Sequence, residues 1–354
     1  MKLFETIQLG KIKLNNRVVM APLTRSRATG NVPNDLMVQY YGQRASAGLI
    51  ITEGTSPSPN GLGYARIPGL FNQAQVEGWK KVTQTVHAKG GHIFMQMMHT
   101  GRVSHTANLP SGGRILAPSP IAVSGQIWTD SQGQQNYPAP HEMTETEIRD
   151  TIEEFAESAA LAIDAGFDGV ELHAANGYLI EQFLNANSNQ RKDAYGATPQ
   201  GRMRFALEVA QAVTKRIGAD RTGIRVSPYG VFNDTGAFPG VDEFYLELAK
   251  KCSELGLAYI HVVDHSSMGT PPVSADLKRK IRENFKGAYI LSGGYNGDSA
   301  ERDLLENKGD LVAFGRPFIS NPDLVGKLKS KAALVAANPE TFYTPGPQGY
   351  TDYT

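Results

Sequence analysis

Residues 165–185 read AGFDGVELHAANGYLIEQFLN. Gly166 ends a long amphipathic stretch, TETEIRDTIEEFAESAALAIDAG (144–166), as a glycine ends a helix. Thr144 or Thr146 supplies the N-cap of that helix, with acidic residues in its first turn. GVELHA (169–174) is an apolar run of strand length, and the polar HAANGY (173–178) follows it directly. Helix, turn, buried strand and polar loop make one period of an alternating α/β chain.

The period recurs on both sides. Short runs rich in Ile, Val, Leu or Met lie at 17–22, 48–54, 92–99, 223–228, 258–264, 288–294 and 311–317. With 169–174 these make eight, and parallel strands covered on both faces have this composition. Helical stretches separate them, among them AQVEGWKKVTQTVHAKG (74–90), TPQGRMRFALEVAQAVTKRIG (198–218) and VDEFYLELAKKCSELG (241–256). Eight alternations predict an α/β fold, a closed (β/α)₈ TIM barrel with right-handed crossovers, over an open sheet. Such a barrel needs about 250 residues and reaches about 400 with insertions. One domain spanning 1–354 is therefore expected.

Two segments interrupt the rhythm. LFETIQLGKIKLNN (3–16) reads as an N-terminal β-hairpin that plugs the bottom of the barrel. Residues 100–143 form a long Gly/Pro/Ser-rich loop after strand 3, at the end of the barrel where active sites form. The aromatic tail NPETFYTPGPQGYTDYT is expected to pack or to cover something.

Composition narrows the function. Lys plus Arg equals Asp plus Glu at 35 each, so bulk charge offers nothing to a nucleic acid. No run approaches 18 apolar residues, and MKLFETIQLG lacks the apolar core of a signal peptide, so no membrane association is expected. Cys252, the only cysteine, lies in a helical run and is expected to be structural. With no export signal and no possible intrachain disulfide, the chain is expected in the cytoplasm. Oligomeric state stays open, a monomer being admissible.

Polar residues gather at the C-terminal ends of the predicted strands: APLTR after the first, Gln96 and His99 on the third, His173 on the fourth, Arg225 on the fifth. Strand interiors rarely carry Gln or Arg without a partner. Ser292, Gly293 and Gly294 end the seventh strand, and Gly315 and Arg316 the eighth. Barrels often bind phosphate with these last two loops, although turn glycines and a surface arginine would read the same way. In HAANGY, His173 and Asn176 can both donate to one oxygen, and Tyr178 carries a phenol. A polar loop with a satisfied histidine is the bland alternative. There is no G-x-S-x-G and no H-E-x-x-H. Glu171, His173, His261, Asp264 and His265 show no metal-ligand spacing.

Several longer motifs are distinctive: NRVVMAPLTRSRA, AGFDGVELHAANGYLIEQFLN, RVSPYG and DLVAFGRPFISNPDL. Through them the chain resembles, nearly end to end, the old yellow enzyme family of NADH:flavin oxidoreductases. Within it, the branch of bacterial N-ethylmaleimide reductase and pentaerythritol tetranitrate reductase is the one it looks like. The resemblance implies noncovalent FMN, reduced by NADPH or NADH, and hydride transfer to small electron-poor alkenes or nitro compounds. It places Pro22, Leu23 and Thr24 against the flavin ring, Gln96 at its pyrimidine edge and Arg225 near N1 and the C2 oxygen. Gly293, Gly294, Gly315 and Arg316 fall to the phosphate, His173 and Asn176 to the substrate oxygen, and Tyr178 to the proton donor. Tyr64 and Tyr343 fall to the substrate cavity. One departure stands out. The family pattern Q-L-W-H-x-G-R is QMMHTGR here, so Met98 replaces a tryptophan that shapes the cavity.

Two other readings are separable by experiment. A sugar-phosphate aldolase or isomerase would use the same phosphate loops but needs a lysine or a carboxylate pair at strand ends. A flavin-storage protein would be yellow yet would not turn over.

Overall fold

A computed structural model describes residues 1–354. The chain opens with an antiparallel hairpin, β1 (Ile7–Leu9) and β2 (Ile12–Leu14). Barrel strands β3 (Val18–Met20), β4 (Leu49–Ile51) and β5 (Ile93–Met97) follow, with helices α1 (Asp35–Gln43) and α2 (Gln73–Ala88) between them. Residues 100–143 hold four short strands: β6 (Leu116–Ala117), β7 (Gln126–Thr129), β8 (Gly133–Asn136) and β9 (His141–Glu142). Then come α3 (Glu145–Asp164), β10 (Gly169–Ala174), α4 (Leu179–Leu184), α5 (Pro199–Ile217) and β11 (Thr222–Val226). The rest is α6 (Val241–Glu254), β12 (Tyr259–Val263), α7 (Ala275–Asn284), β13 (Ala288–Ser292), α8 (Gly297–Leu305), β14 (Leu311–Phe314), α9 (Arg316–Ser320) and α10 (Leu324–Ser330). Strands β3, β4, β5 and β10 to β14 close into a parallel barrel, β14 pairing with β3. All eight strands expected from the sequence are present: β10 spans 169–174 as expected, β11 starts one residue early, and all but β10 end short of the expected run.

Local chemistry sets the boundaries. Thr144 caps α3 in a capping box: its hydroxyl accepts from the Glu147 N–H, and the Glu147 carboxylate accepts from the Thr144 N–H. Such a cap stabilises a helix by about 1 kcal/mol. The choice between Thr144 and Thr146 is thereby settled.

Period-two alternation sorts the strand side chains. Val18, Met20, Met95, Leu172, Ile224 and Val262 face outward and join a core of 65 buried residues between barrel and helices. Val19, Leu49, Ile51, Phe94, Tyr259, Ile290 and Leu311 point inward and form a separate cluster of 12. Leu9 and Leu14 of the hairpin belong to that inner cluster, so the hairpin seals the base of the barrel. Inward positions continue upward on the same parity to Gln96, Glu171, His173, Arg225 and His261. The barrel is therefore apolar below and polar above.

The tail is also tied down. Arg25 donates to the carbonyls of Phe342 and Gly349, and Arg27 to those of Thr341, Phe342 and Gln348. Tyr350 stacks on Tyr40 with ring centroids 4.1 Å apart. Buried arginines satisfied by backbone carbonyls hold the last residues against the loop after β3. No helix is long and apolar enough to cross a membrane.

Candidate active site

Every site residue picked out from the sequence lines one cavity of about 1220 Å³ at the C-terminal end of the barrel. His99, also polar and near a strand end, does not line it: it is buried and its Nδ1 accepts from the Gly101 N–H. Cys252 is buried on α6 away from the cavity, where burial pushes its thiol up to about 12.

Strand register builds the cavity floor. Gln96 sits beside Glu171, His173 beside Arg225, and Arg225 beside His261. The Glu171 carboxylate accepts from Gln96 Nε2 and pairs with His261 Nδ1, both at 2.8 Å. Burial works to raise the Glu171 pKa, but His261, Arg225 and Gln96 hold it below the usual carboxylate value. Gln96 thus has its amide nitrogen fixed downward and its oxygen free. Burial, with Arg225 alongside, depresses the His173 imidazole strongly and keeps it neutral. His173 Nδ1 and Arg225 Nε are both buried and have no partner in the protein. Buried polar nitrogens left open in this way call for partners on a bound group.

The HAANGY turn carries the reactive groups. Asn176 has φ 60°, a left-handed conformation that asparagine tolerates. Its N–H donates to Ser227 Oγ at 3.0 Å, and Ser227 Oγ donates to Glu181 Oε1 at 2.8 Å. Glu181 Oε2 accepts from the Gly177 N–H at 2.6 Å. The Asn176 side-chain oxygen lies 2.8 Å from His265 Nε2. The Tyr178 hydroxyl lies 3.2 Å from that of Tyr64.

At the other end lie the loops after β13 and β14. Gly293 has φ 144°, and a Cβ there would stand 2.4 Å from the Asp264 carbonyl oxygen. Only glycine lets the chain pass so closely. Arg316, exposed at the start of α9, lines the same cavity. A group with a phosphate at one end and a flat ring of hydrogen-bond acceptors at the other fits this set. Gly293, Gly294, Gly315 and Arg316 would meet the phosphate. Gln96, Arg225 and Thr24 would meet the ring edge. No lysine lines the cavity, so it offers no Schiff-base nucleophile. No three His, Cys, Asp or Glu side chains are grouped to hold a metal ion.

The wall contains parts that sequence reading missed. Ile127, Trp128 and Tyr137, on or beside the β7–β8 hairpin, line the mouth; they lie in the long loop expected at the active-site end, but none of them is singled out in the sequence. Arg66 pairs with Asp130 in that hairpin's turn and ties it to the Ser26 carbonyl at 3.0 Å and the Tyr343 carbonyl at 2.9 Å. Glu181 and Ser227 hold the HAANGY turn from behind, and His265 holds it from the cavity side. Their roles depend on which strand ends meet, and one isolated sequence signals nothing of that. Met98 is buried against Leu62 and Ile67, with Tyr64 and Tyr178 beside it, and borders the cavity. Tyr343 is 61% exposed at the rim.

A closed barrel with an apolar base, a polar upper layer and glycine-lined final loops around one cavity is the frame of a barrel enzyme, and its likeness to known proteins says of which class. The chain belongs to the NADH:flavin oxidoreductase / NADH oxidase family, whose sequence profile matches residues 2–334. It is 40% identical over 372 residues to 12-oxophytodienoate reductase 7 of Oryza sativa subsp. japonica, covering 99% of this chain and 94% of that one. Among solved structures it is similar to morphinone reductase, with a TM-score of 0.96, 41% identity and coverage of 99% and 96%. An old yellow enzyme homologue from Zymomonas mobilis has the same TM-score at 39% identity, covering 100% of this chain and 99% of that one.

Proposed function

We propose that this protein, as a single domain over 1–354, is an FMN-dependent ene-reductase acting on α,β-unsaturated carbonyl, maleimide or nitro compounds. The observation that carries the reading is the HAANGY turn. It sets two potential donors, His173 and Asn176, beside the phenol of Tyr178 at the mouth of a cavity suited to a flavin. The names of the reductases it is similar to support the same chemistry.

FMN bound there would supply the hydride-transfer chemistry that links NADPH or NADH to the β-carbon of an activated alkene. Gly293, Gly294, Gly315 and Arg316 would grip its phosphate, and Pro22, Leu23, Thr24, Gln96 and Arg225 would hold its ring. Arg225 places positive charge where negative charge accumulates on reduction. His173, held neutral, and Asn176 donate to the substrate oxygen and draw electron density from the alkene. Tyr178 gives its proton to the α-carbon. Tyr64, Met98 and Tyr343 shape the space in which the alkene lies.

An absorbance spectrum of the purified protein tests the proposal, followed by anaerobic addition of NADPH and then of 2-cyclohexenone. Flavin bands that bleach with NADPH and return with the enone are expected. A colourless protein, or a yellow one that the enone does not reoxidise, would overturn the reading.

A further inference from the structure

Asn176 is held at three points. Its N–H donates to Ser227 Oγ at 3.0 Å, its carbonyl accepts from Asn233 Nδ2 at 2.7 Å, and its side-chain oxygen lies 2.8 Å from His265 Nε2. The first two fix the backbone. They leave one freedom that matters for chemistry, the half-turn of the amide that exchanges its oxygen and nitrogen. Only the nitrogen end can donate to a substrate oxygen, because an amide oxygen only accepts.

We infer that His265 is a positioning residue for the reaction: by donating from Nε2 to Asn176 Oδ1, it turns the amide so that its NH₂ is left to meet the substrate oxygen. The inference rests on the substrate-oxygen role proposed above for Asn176.

Several features suit His265 to this work. It lies in DHSSMG after β12, on a different loop from Asn176, and both line the cavity. Its ring stands edge-on to Phe232, with centroids 4.7 Å apart, which fixes the ring plane. Burial, together with the positive charge of Arg225, lowers its pKa to about 4, although Asp264 opposes this. The imidazole is therefore neutral at neutral pH, and one nitrogen alone carries a proton. With the proton on Nε2 the amide presents NH₂ to the cavity. An acceptor in its place would reverse the amide and set oxygen against oxygen. An unlinked residue some 90 positions away in the chain thus selects which end of Asn176 faces the substrate.

The test uses the holoprotein with oxidised flavin. The dissociation constant of 2-cyclohexenone is read from the change in flavin absorbance, and the rate of enone-driven reoxidation is read in parallel. H265E offers an acceptor and is expected to weaken enone binding about tenfold, the scale of one hydrogen bond lost. H265Q keeps a donor and is expected to stay within about threefold of the parent, since the bond it makes is of the same kind. N176A is expected to weaken binding as H265E does, and the double variant H265E/N176A no more than N176A alone. Should H265E not retain flavin, H265F, which has no bond to offer, takes its place with the same expectation. Unchanged binding in H265E or H265F beside a weakened N176A overturns the inference, as does a double variant whose losses multiply. N176A without effect has a different signature: it overturns the substrate-oxygen role of Asn176, and the inference with it.

Discussion

The hydroxyls of Tyr178 and Tyr64 lie 3.2 Å apart, on loops that follow different barrel strands. Tyr178 also stands edge-on to His173, with ring centroids 4.9 Å apart. Burial pushes the Tyr178 phenol up to about 12, while the bond to Tyr64 pulls the other way. It is therefore a full phenol at neutral pH, held at the oxygen by one neighbour and at the ring by another.

Hydride delivery from NADPH to flavin needs no proton from that phenol, whereas alkene reduction needs both a hydride and a proton. Tyr178→Phe keeps the ring and deletes the donor. Stopped-flow absorbance is expected to show flavin reduction by NADPH within a small factor of the parent. Reoxidation by 2-cyclohexenone is expected to slow by roughly 10²-fold or more, the usual weight of a positioned acid. Reoxidation at the parent rate would remove Tyr178 from its role.

The proposed function gives Arg316 and the glycines after β13 and β14 to the FMN phosphate. Arg316→Ala deletes charge-assisted bonds to it, each about twice as strong as a neutral one. During dialysis the variant is expected to lose its yellow colour faster than the parent. Equal retention would count against the assignment.

Thr24 lines the cavity in the loop that leaves β3. Its hydroxyl is expected to donate to the flavin C4 oxygen and so favour the electron-rich reduced ring. Thr24→Ala is then expected to lower the reduction potential and to slow reduction by NADPH. Dye equilibration measures the potential, and an unshifted value would exclude that bond.

Met98 packs so closely on Gly54 that a Cβ there would stand 2.4 Å from the Met98 sulfur. A tryptophan at 98 therefore has to grow toward the cavity. Met98→Trp is expected to lower kcat/KM for a bulky enone more than for a small one, because methionine adapts its shape and tryptophan does not. A parallel fall on both would mean that residue 98 does not set the space.

Glu181 is fully buried, and burial raises its pKa to about 7 despite bonds from Gly177, Ser227 and Tyr245. A carboxyl raised on folding binds its proton more tightly in the folded chain. Its contribution is thus fully present below the unfolded value of about 4.5 and is lost as pH rises through about 7. The loss amounts to about 3 kcal/mol at most, at 1.36 kcal/mol per unit. Glu181→Gln is expected to flatten the fall of Tm between about pH 5 and pH 8. An unchanged slope would mean that the carboxyl titrates elsewhere.

Much of this architecture was legible in the chain. Ile, Val and Leu runs marked all eight strands, because a strand covered on both faces has no other composition. Gln96 and Arg225 stood out because polar groups inside such runs need partners. HAANGY stood out because it follows a strand directly. The β7–β8 hairpin did not, since its alternation, GQIWTDSQGQQN, is short and largely polar. Glu181 was silent, and His265 looked at most like a stray metal ligand, for another reason. Their meaning comes from contacts with Asn176 and Gly177 that only barrel closure creates. Glu171 looked at most like a stray metal ligand, whereas its place is to fix Gln96 and His261.

The two arginines that hold the tail impose an order of events on biosynthesis. Arg25 and Arg27 leave the ribosome near the start of the chain, yet their carbonyl acceptors lie between Thr341 and Gly349. Until those residues emerge, both guanidinium groups lack most of the partners that let them be buried, and the β14 edge that pairs with β3 comes only shortly before them. The Tyr343 side of the cavity does not exist on a nascent chain. Assembly of that wall is thereby deferred until residues 341–349 are made, and a chain cut before residue 341 lacks it while keeping the β7–β8 side.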